Sequence, residues 1–116
     1  MAGPVHVTDA TFRLAVEMQP LVVVDFWAAW CGPCRALGPV VDQLAADYAG
    51  RVTFAKLDVD ANPDTAARFG VQSIPALLFF QNGTLVDRAV GFIPQTILRT
   101  KVEQLLRAAA TPSHVA

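Results

Sequence analysis

The chain is 116 residues long, 53% apolar and 16% charged, with a formal net charge of −1 and two cysteines. That length and apolar content suit one domain, with an ordered core expected over about residues 5–108, and exclude a disordered chain. The near-neutral balance supplies no basic field for nucleic acid or anionic lipid, and two cysteines read as those of a reducing, cytoplasmic compartment rather than a secreted scaffold.

Met1 to Leu14 has neither a basic nor an apolar leader segment, so no secretory signal is expected. Val5-His6-Val7 is a short strand candidate. Thr8 offers a cap for a helix carrying Phe12, Leu14, Ala15 and Met18, ended by Pro20. Leu21 to Trp27 is a continuous apolar and β-branched run, the pattern of a strand buried on both faces. Extended to Trp30, it is interrupted by Asp25 and has about half the length that spans a bilayer, so no membrane segment is expected.

Leu37, Val40, Val41, Leu44, Ala45 and Tyr48 recur at helical spacing, with Gly50 to close the helix and Gly38-Pro39 to bend it. Val52 to Val59 is the next strand. Asn62-Pro63 caps and opens a short helix that stops at Gly70. Ala76 to Phe80 and Leu85 to Val90 flank Asn82-Gly83, a hairpin-turn pair. Pro94 starts a final helix with Ile97, Leu98, Val102, Leu105 and Leu106 on one face. Residues 109–116 are expected to fray. The order βαβαβαββα predicts an α/β fold: a central mixed sheet of about five strands flanked by about four helices, built as three crossover units and a hairpin.

Both cysteines lie in Trp30-Cys31-Gly32-Pro33-Cys34, where a central strand hands over to its helix. Two thiols three positions apart can open and close one disulfide, which moves two electrons to or from another dithiol. Sites in open α/β sheets gather at the carboxyl ends of strands, so the position also points to function. A zinc site is disfavoured, because His6 and His114 sit near the two ends of the chain.

The string Val24-Asp25-Phe26-Trp27-Ala28-Ala29-Trp30-Cys31-Gly32-Pro33-Cys34-Arg35 resembles the active-site segment of the thioredoxin family. Lys56-Leu57-Asp58-Val59-Asp60, Asn62-Pro63, Ile74-Pro75, Gln81-Asn82-Gly83 and Val90-Gly91 follow in that family's order and spacing. The resemblance spans roughly Val5 to Leu106 and implies the thioredoxin fold. Departures from the common pattern are Ala29 where an acid is frequent, Arg35 for Lys, Ser73 for Gly and Ala76 for Thr. They lie around the site and bear on partner preference.

A thiolate is the attacking form of cysteine, so one thiol needs a lowered pKa. Cys31 is expected at the helix N-terminus, where unpaired N–H groups favour a negative sulfur, and is the expected nucleophile. Cys34, one turn further in and more buried, is the expected resolving thiol. Asp25, inside a buried strand, should have a raised pKa, and the resemblance implies that it exchanges a proton with Cys34. Lys56, on the neighbouring strand, is expected to temper that rise.

Ile74-Pro75 resembles the family's cis-proline segment, which implies that Ile74 offers its backbone to an extended substrate. Trp30, Gly32, Pro33, Ile74, Pro75, Val90, Gly91 and Phe92 are expected to form an apolar, substrate-binding collar around Cys31, with Trp27 half core and half lid. The implied function is general protein-disulfide reduction with no bound cofactor, NADPH acting indirectly through thioredoxin reductase. The implied targets are disulfide-containing proteins such as ribonucleotide reductase, peroxiredoxin and methionine sulfoxide reductase, served by a monomer with no nucleic-acid or membrane partner. A disulfide oxidase or isomerase and a redox-independent binding scaffold are the alternatives.

Overall fold

The computed structural model describes residues 3–110. Five strands, β1 (Val5–His6), β2 (Leu21–Trp27), β3 (Thr53–Asp58), β4 (Ala76–Gln81) and β5 (Thr84–Val90), form one mixed sheet in the order β1-β3-β2-β4-β5. Four helices, α1 (Phe12–Ala15), α2 (Gly32–Asp47), α3 (Pro63–Arg68) and α4 (Gln95–Ala110), complete the expected βαβαβαββα order. α4 extends two residues past the expected ordered core, and the expected fraying of 111–116 lies outside the described residues.

β2 is central and its first six residues, Asp25 among them, are buried, as its otherwise apolar run predicts. Successive side chains of a strand point to opposite faces. Leu21 and Val23 join Phe54, Leu77 and Phe79 under Leu37, Val41 and Leu44 of α2 and Leu98 and Val102 of α4. Val22, Val24 and Phe26 face the other way, toward Phe12, Ala15 and Ala66. Each fully buried Leu or Phe contributes about 1.5–3 kcal/mol of transfer free energy, which makes these two layers the dominant favourable term. α2 runs unbroken through Pro39. At the hairpin tip, Asn82 (φ 51) and Gly83 (φ 83) both adopt the positive φ that a two-residue turn between twisted strands requires.

Four expectations are corrected. The first helix begins at Thr11, not Thr8: Thr8 and Thr11 exchange hydrogen bonds between each backbone N–H and the other's hydroxyl, closing a turn before the helix. The helix is then a single turn, so Leu14 and Met18 are exposed while Phe12, Ala15 and Val16 form the buried stripe. On α4, Ile97 is 54% exposed; it lies about 100° around the helix from Leu98, off the stripe of Leu98 and Val102. Asn62 stands at the N-cap of α3 without a side-chain cap bond. Asp9, more than fifty residues away in sequence, caps α3 instead: its carboxylate accepts from the Thr65 N–H (2.9 Å), the Asp64 N–H (3.2 Å) and the Thr65 hydroxyl (2.6 Å).

The fourth correction places the site. β1 and β2 run parallel to β3, but β4 runs antiparallel to β2, with Ala76 opposite Phe26. The chain therefore leaves β3 at Asp58 and re-enters the sheet at the same end, so α3 is not a crossover. A six-residue helix is about 9 Å long, half of what is needed to traverse a strand of similar residue count. As a result the Ile74-Pro75 segment arrives beside the carboxyl end of β2, where the cysteines are.

Candidate active site

The chain leaves β2 at Trp27 and turns immediately, the Cys31 N–H donating to the Ala28 carbonyl at 3.2 Å. Cys31 is the extended N-cap residue of α2, and Pro33 occupies the first turn, where its missing N–H costs nothing. The Cys34 N–H donates to the Cys31 sulfur at 3.2 Å. The sulfurs of Cys31 and Cys34 are joined as a disulfide, with Cα atoms 5.2 Å apart. Cys31 is 5% and Cys34 3% exposed, so in the oxidised form the expected deeper burial of Cys34 is only slight. Both cysteines cluster with buried Ala28, against which Trp27, Val59 and Ile74 pack.

The Ile74-Pro75 peptide bond is cis, and the Ile74 carbonyl oxygen lies 3.8 Å from the Cys31 sulfur. Neither the N–H nor the C=O of Ile74 has a backbone partner among the described residues. Gly91 donates its N–H to the Pro75 carbonyl at 2.7 Å, and Val90 pairs with Ala76, which joins the start of β4 to the end of β5 beside the disulfide. Trp30, Val90 and Phe92 are 68%, 61% and 51% exposed, and Gly32 and Pro33 are exposed with them. Pro75 is the exception within the expected collar: it is buried, while Ile74 and Gly91 are half-buried.

Asp25 is 1% exposed and pairs in register with Lys56 on β3 and Leu77 on β4. Strand alternation puts it on the face covered by α2, with Leu21 and Val23. Neither carboxylate oxygen has a hydrogen-bond partner among the described residues. Burial pushes its pKa from 3.8 up to about 7; the Lys56 charge opposes the rise and the Asp42 charge adds to it. The Lys56 ammonium sits 4.8 Å from the centre of the Trp27 ring system, so its charge is held over an aromatic face instead of running freely into water.

Sequence reasoning gave no role to Asp60 or Asp42, and gave Arg35 only a bearing on partner preference. Asp60 accepts from the Trp30 indole N–H at 2.8 Å and fixes that exposed ring. Arg35 donates from Nη1 to the Ala29 carbonyl at 2.9 Å, bracing the loop before Cys31. Asp42 acts on Asp25 from α2. Asp60 and Arg35 stood inside the quoted motifs, but their contacts depend on side-chain direction, which no spacing reveals. Among the described residues, no group of three or more His, Cys, Asp or Glu could hold a metal ion, and no helix is long and apolar enough to cross a membrane.

Comparison with other proteins identifies the family. The thioredoxin family model matches residues 3–104. The chain belongs to the thioredoxin family. It is 46% identical over 107 residues to a thioredoxin of Synechocystis sp., covering 91% of this chain and all of that relative. It is 50% identical over 102 residues to a thioredoxin of Staphylococcus aureus, covering 88% and 97% of the two chains. A solved mutant thioredoxin from Halobacterium salinarum superposes with a TM-score of 0.82 at 34% identity, covering 89% of this chain and 90% of that one. As a member of this family the chain is a thiol–disulfide oxidoreductase, with the Cys31–Cys34 pair in the place of the redox-active disulfide.

Proposed function

We propose that the protein is a general protein-disulfide reductase in which Cys31 attacks and Cys34 resolves. The observation that carries this reading is the placement of the Cys31–Cys34 disulfide at a helix N-terminus, directly beside Ile74, whose N–H and C=O have no backbone partner among the described residues. In the reduced form, the Cys34 N–H that now points at the Cys31 sulfur and the positive end of the helix dipole favour a Cys31 thiolate. An extended substrate strand pairs with Ile74, which sets its disulfide over Cys31.

The Cys31 thiolate attacks one substrate sulfur, forming a mixed disulfide and expelling the other sulfur as a thiolate that takes up a proton. Cys34 then loses its proton and attacks the Cys31 sulfur. The Cys31–Cys34 disulfide forms, the mixed disulfide breaks, and the second substrate thiol leaves. Two electrons have passed to the substrate, and the protein is oxidised. Asp25, with a pKa of about 7, is suited to accept the Cys34 proton near neutral pH, with Lys56 moderating that value. Trp30, Val90 and Phe92, with Gly32, Pro33 and Gly91, supply a shallow apolar rim that suits varied partners.

Thioredoxin reductase, using NADPH, restores the dithiol in this reading, and the setting is cytoplasmic. The test is the reduction potential of the Cys31–Cys34 couple, read by tryptophan fluorescence in dithiol buffers, because Trp27 packs against the cluster that holds both cysteines. A value below the glutathione poise, about −220 to −260 mV by extraction, supports an electron donor. A value near those of oxidising folding catalysts overturns the reductase reading.

A further inference from the structure

Arg35 lies one turn into α2 from its N-cap Cys31, with the Arg35 N–H bonded to the Cys31 carbonyl at 3.1 Å. The Arg35 side chain is exposed and turns back toward the loop, where Nη1 meets the Ala29 carbonyl at 2.9 Å. A guanidinium carries five N–H donors in a planar fork, and this bond to a neutral oxygen leaves its charge uncompensated. Among the described residues, the ion pairs are Arg99–Asp47 and Lys101–Asp87, and neither involves Arg35. Position 29, whose backbone it holds, is an exposed alanine with no carboxylate to neutralise it. Asp60 accepts from the Trp30 indole and, among the described residues, forms no ion pair with Arg35.

We infer that Arg35 is a specificity-determining residue that selects disulfides flanked by acidic side chains. The inference rests on the reductase reading of the Cys31–Cys34 site. Trp30 and Phe92 offer apolar contact without direction, whereas Arg35 supplies a positive charge held at the Ala29 carbonyl, two residues before the attacking Cys31. Its bond to Ala29 restrains the long side chain before any substrate arrives, so less rotamer freedom is lost when a carboxylate docks. With a net charge of only −1, the molecule as a whole exerts no strong field that would mask this local preference.

The experiment uses two peptides with the same internal disulfide, differing only in Asp or Lys beside both cysteines. kcat/KM is measured for each with the reduced full chain at low ionic strength. The expected ratio favours the Asp peptide by about threefold to tenfold, the range for one exposed charge that attracts one peptide and repels the other. About 0.5 M salt should bring the ratio close to one. Arg35→Lys should retain the preference and Arg35→Gln abolish it. Because Arg35→Gln also loosens the hold on Ala29, Ala29→Glu provides a second arm: it keeps Arg35, adds the missing carboxylate, and should also erase the preference. An unchanged ratio in both Arg35→Gln and Ala29→Glu, or a ratio of one in the parent, overturns the inference and leaves the reductase reading intact. Failure of the parent to reduce either peptide overturns both.

Discussion

Asp25 makes the folded protein sensitive to pH in a direction opposite to that of most carboxylates. Its pKa is raised from 3.8 to about 7 in the folded chain, first by burial. Below pH 3.8 both folded and unfolded chains carry the proton, and the group has no effect. As pH rises from there, the unfolded chain releases the proton while the folded chain keeps it, so each further pH unit favours unfolding by about 1.4 kcal/mol. Above pH 7 both states are ionised and the cost is constant. The gap between the two values corresponds to about 4 kcal/mol, a large part of the 5–15 kcal/mol that holds a typical domain folded.

Asp25→Asn removes the titration while nearly preserving shape. The buried amide carries its own cost for unmet hydrogen bonds, but that cost does not depend on pH. Urea unfolding of the oxidised protein, in which the cysteines do not titrate, should be measured from pH 4 to pH 8. The stability of Asp25→Asn minus that of the parent should climb by about 4 kcal/mol over that range and level off above pH 7. Asp9, Asp47 and Asp87, whose pKa values are lowered, titrate in both proteins and cancel in the difference. Lys56→Met should move the levelling point higher, since the Lys56 charge opposes the rise. A difference that stays flat from pH 4 to 8 refutes the argument.

Further outcomes follow from other parts of the molecule. Cys34→Ser should accumulate mixed disulfides at Cys31 when incubated with protein disulfides, resolved by gel under non-reducing conditions; equal trapping by Cys31→Ser would reverse the assigned roles. Leu98→Ala should cost about 2–5 kcal/mol in urea unfolding, because Leu98 is fully buried between α4 and the sheet, whereas Ile97→Ala should stay within about 0.5 kcal/mol. Comparable losses at both positions would contradict the observed helix face. Asp9→Ala should lower the urea midpoint by uncapping α3. Because its bond to the Thr65 side chain holds the Asp9 pKa below 3.8, this loss should be present at neutral pH and fade as pH falls below that value. An unchanged midpoint at pH 7 would show that α3 does not depend on the distant cap.

Much of this protein could be read from local pattern. The two-faced burial of Leu21 to Phe26 followed from a run that is apolar except for Asp25, and the α2 face from residues recurring at helical spacing. The Asn82-Gly83 turn followed from the positive φ its geometry demands. The cysteine pair announced itself because three-residue spacing at a strand-to-helix turn suits one disulfide. Ile97 and Met18 were misplaced for a related reason: periodicity fixes a stripe only if the helix is long enough and the phase is known to within one residue.

What local pattern could not decide is anything set by contacts distant in sequence. No residue of β4 states whether that strand runs with or against β2, yet its antiparallel course is what brings Ile74 to within 3.8 Å of the Cys31 sulfur. Asp9 on Thr65 and Asp60 on Trp30 are side-chain bonds spanning 56 and 30 positions, and Asp42 reaches Asp25 across the layer between α2 and the sheet. Residue order alone determined the kind of chemistry, because a dithiol is a local covalent unit. Packing decided which backbone, which acid and which charge surround it, because hydrogen bonds and electric fields act through space and depend on where the folded chain returns.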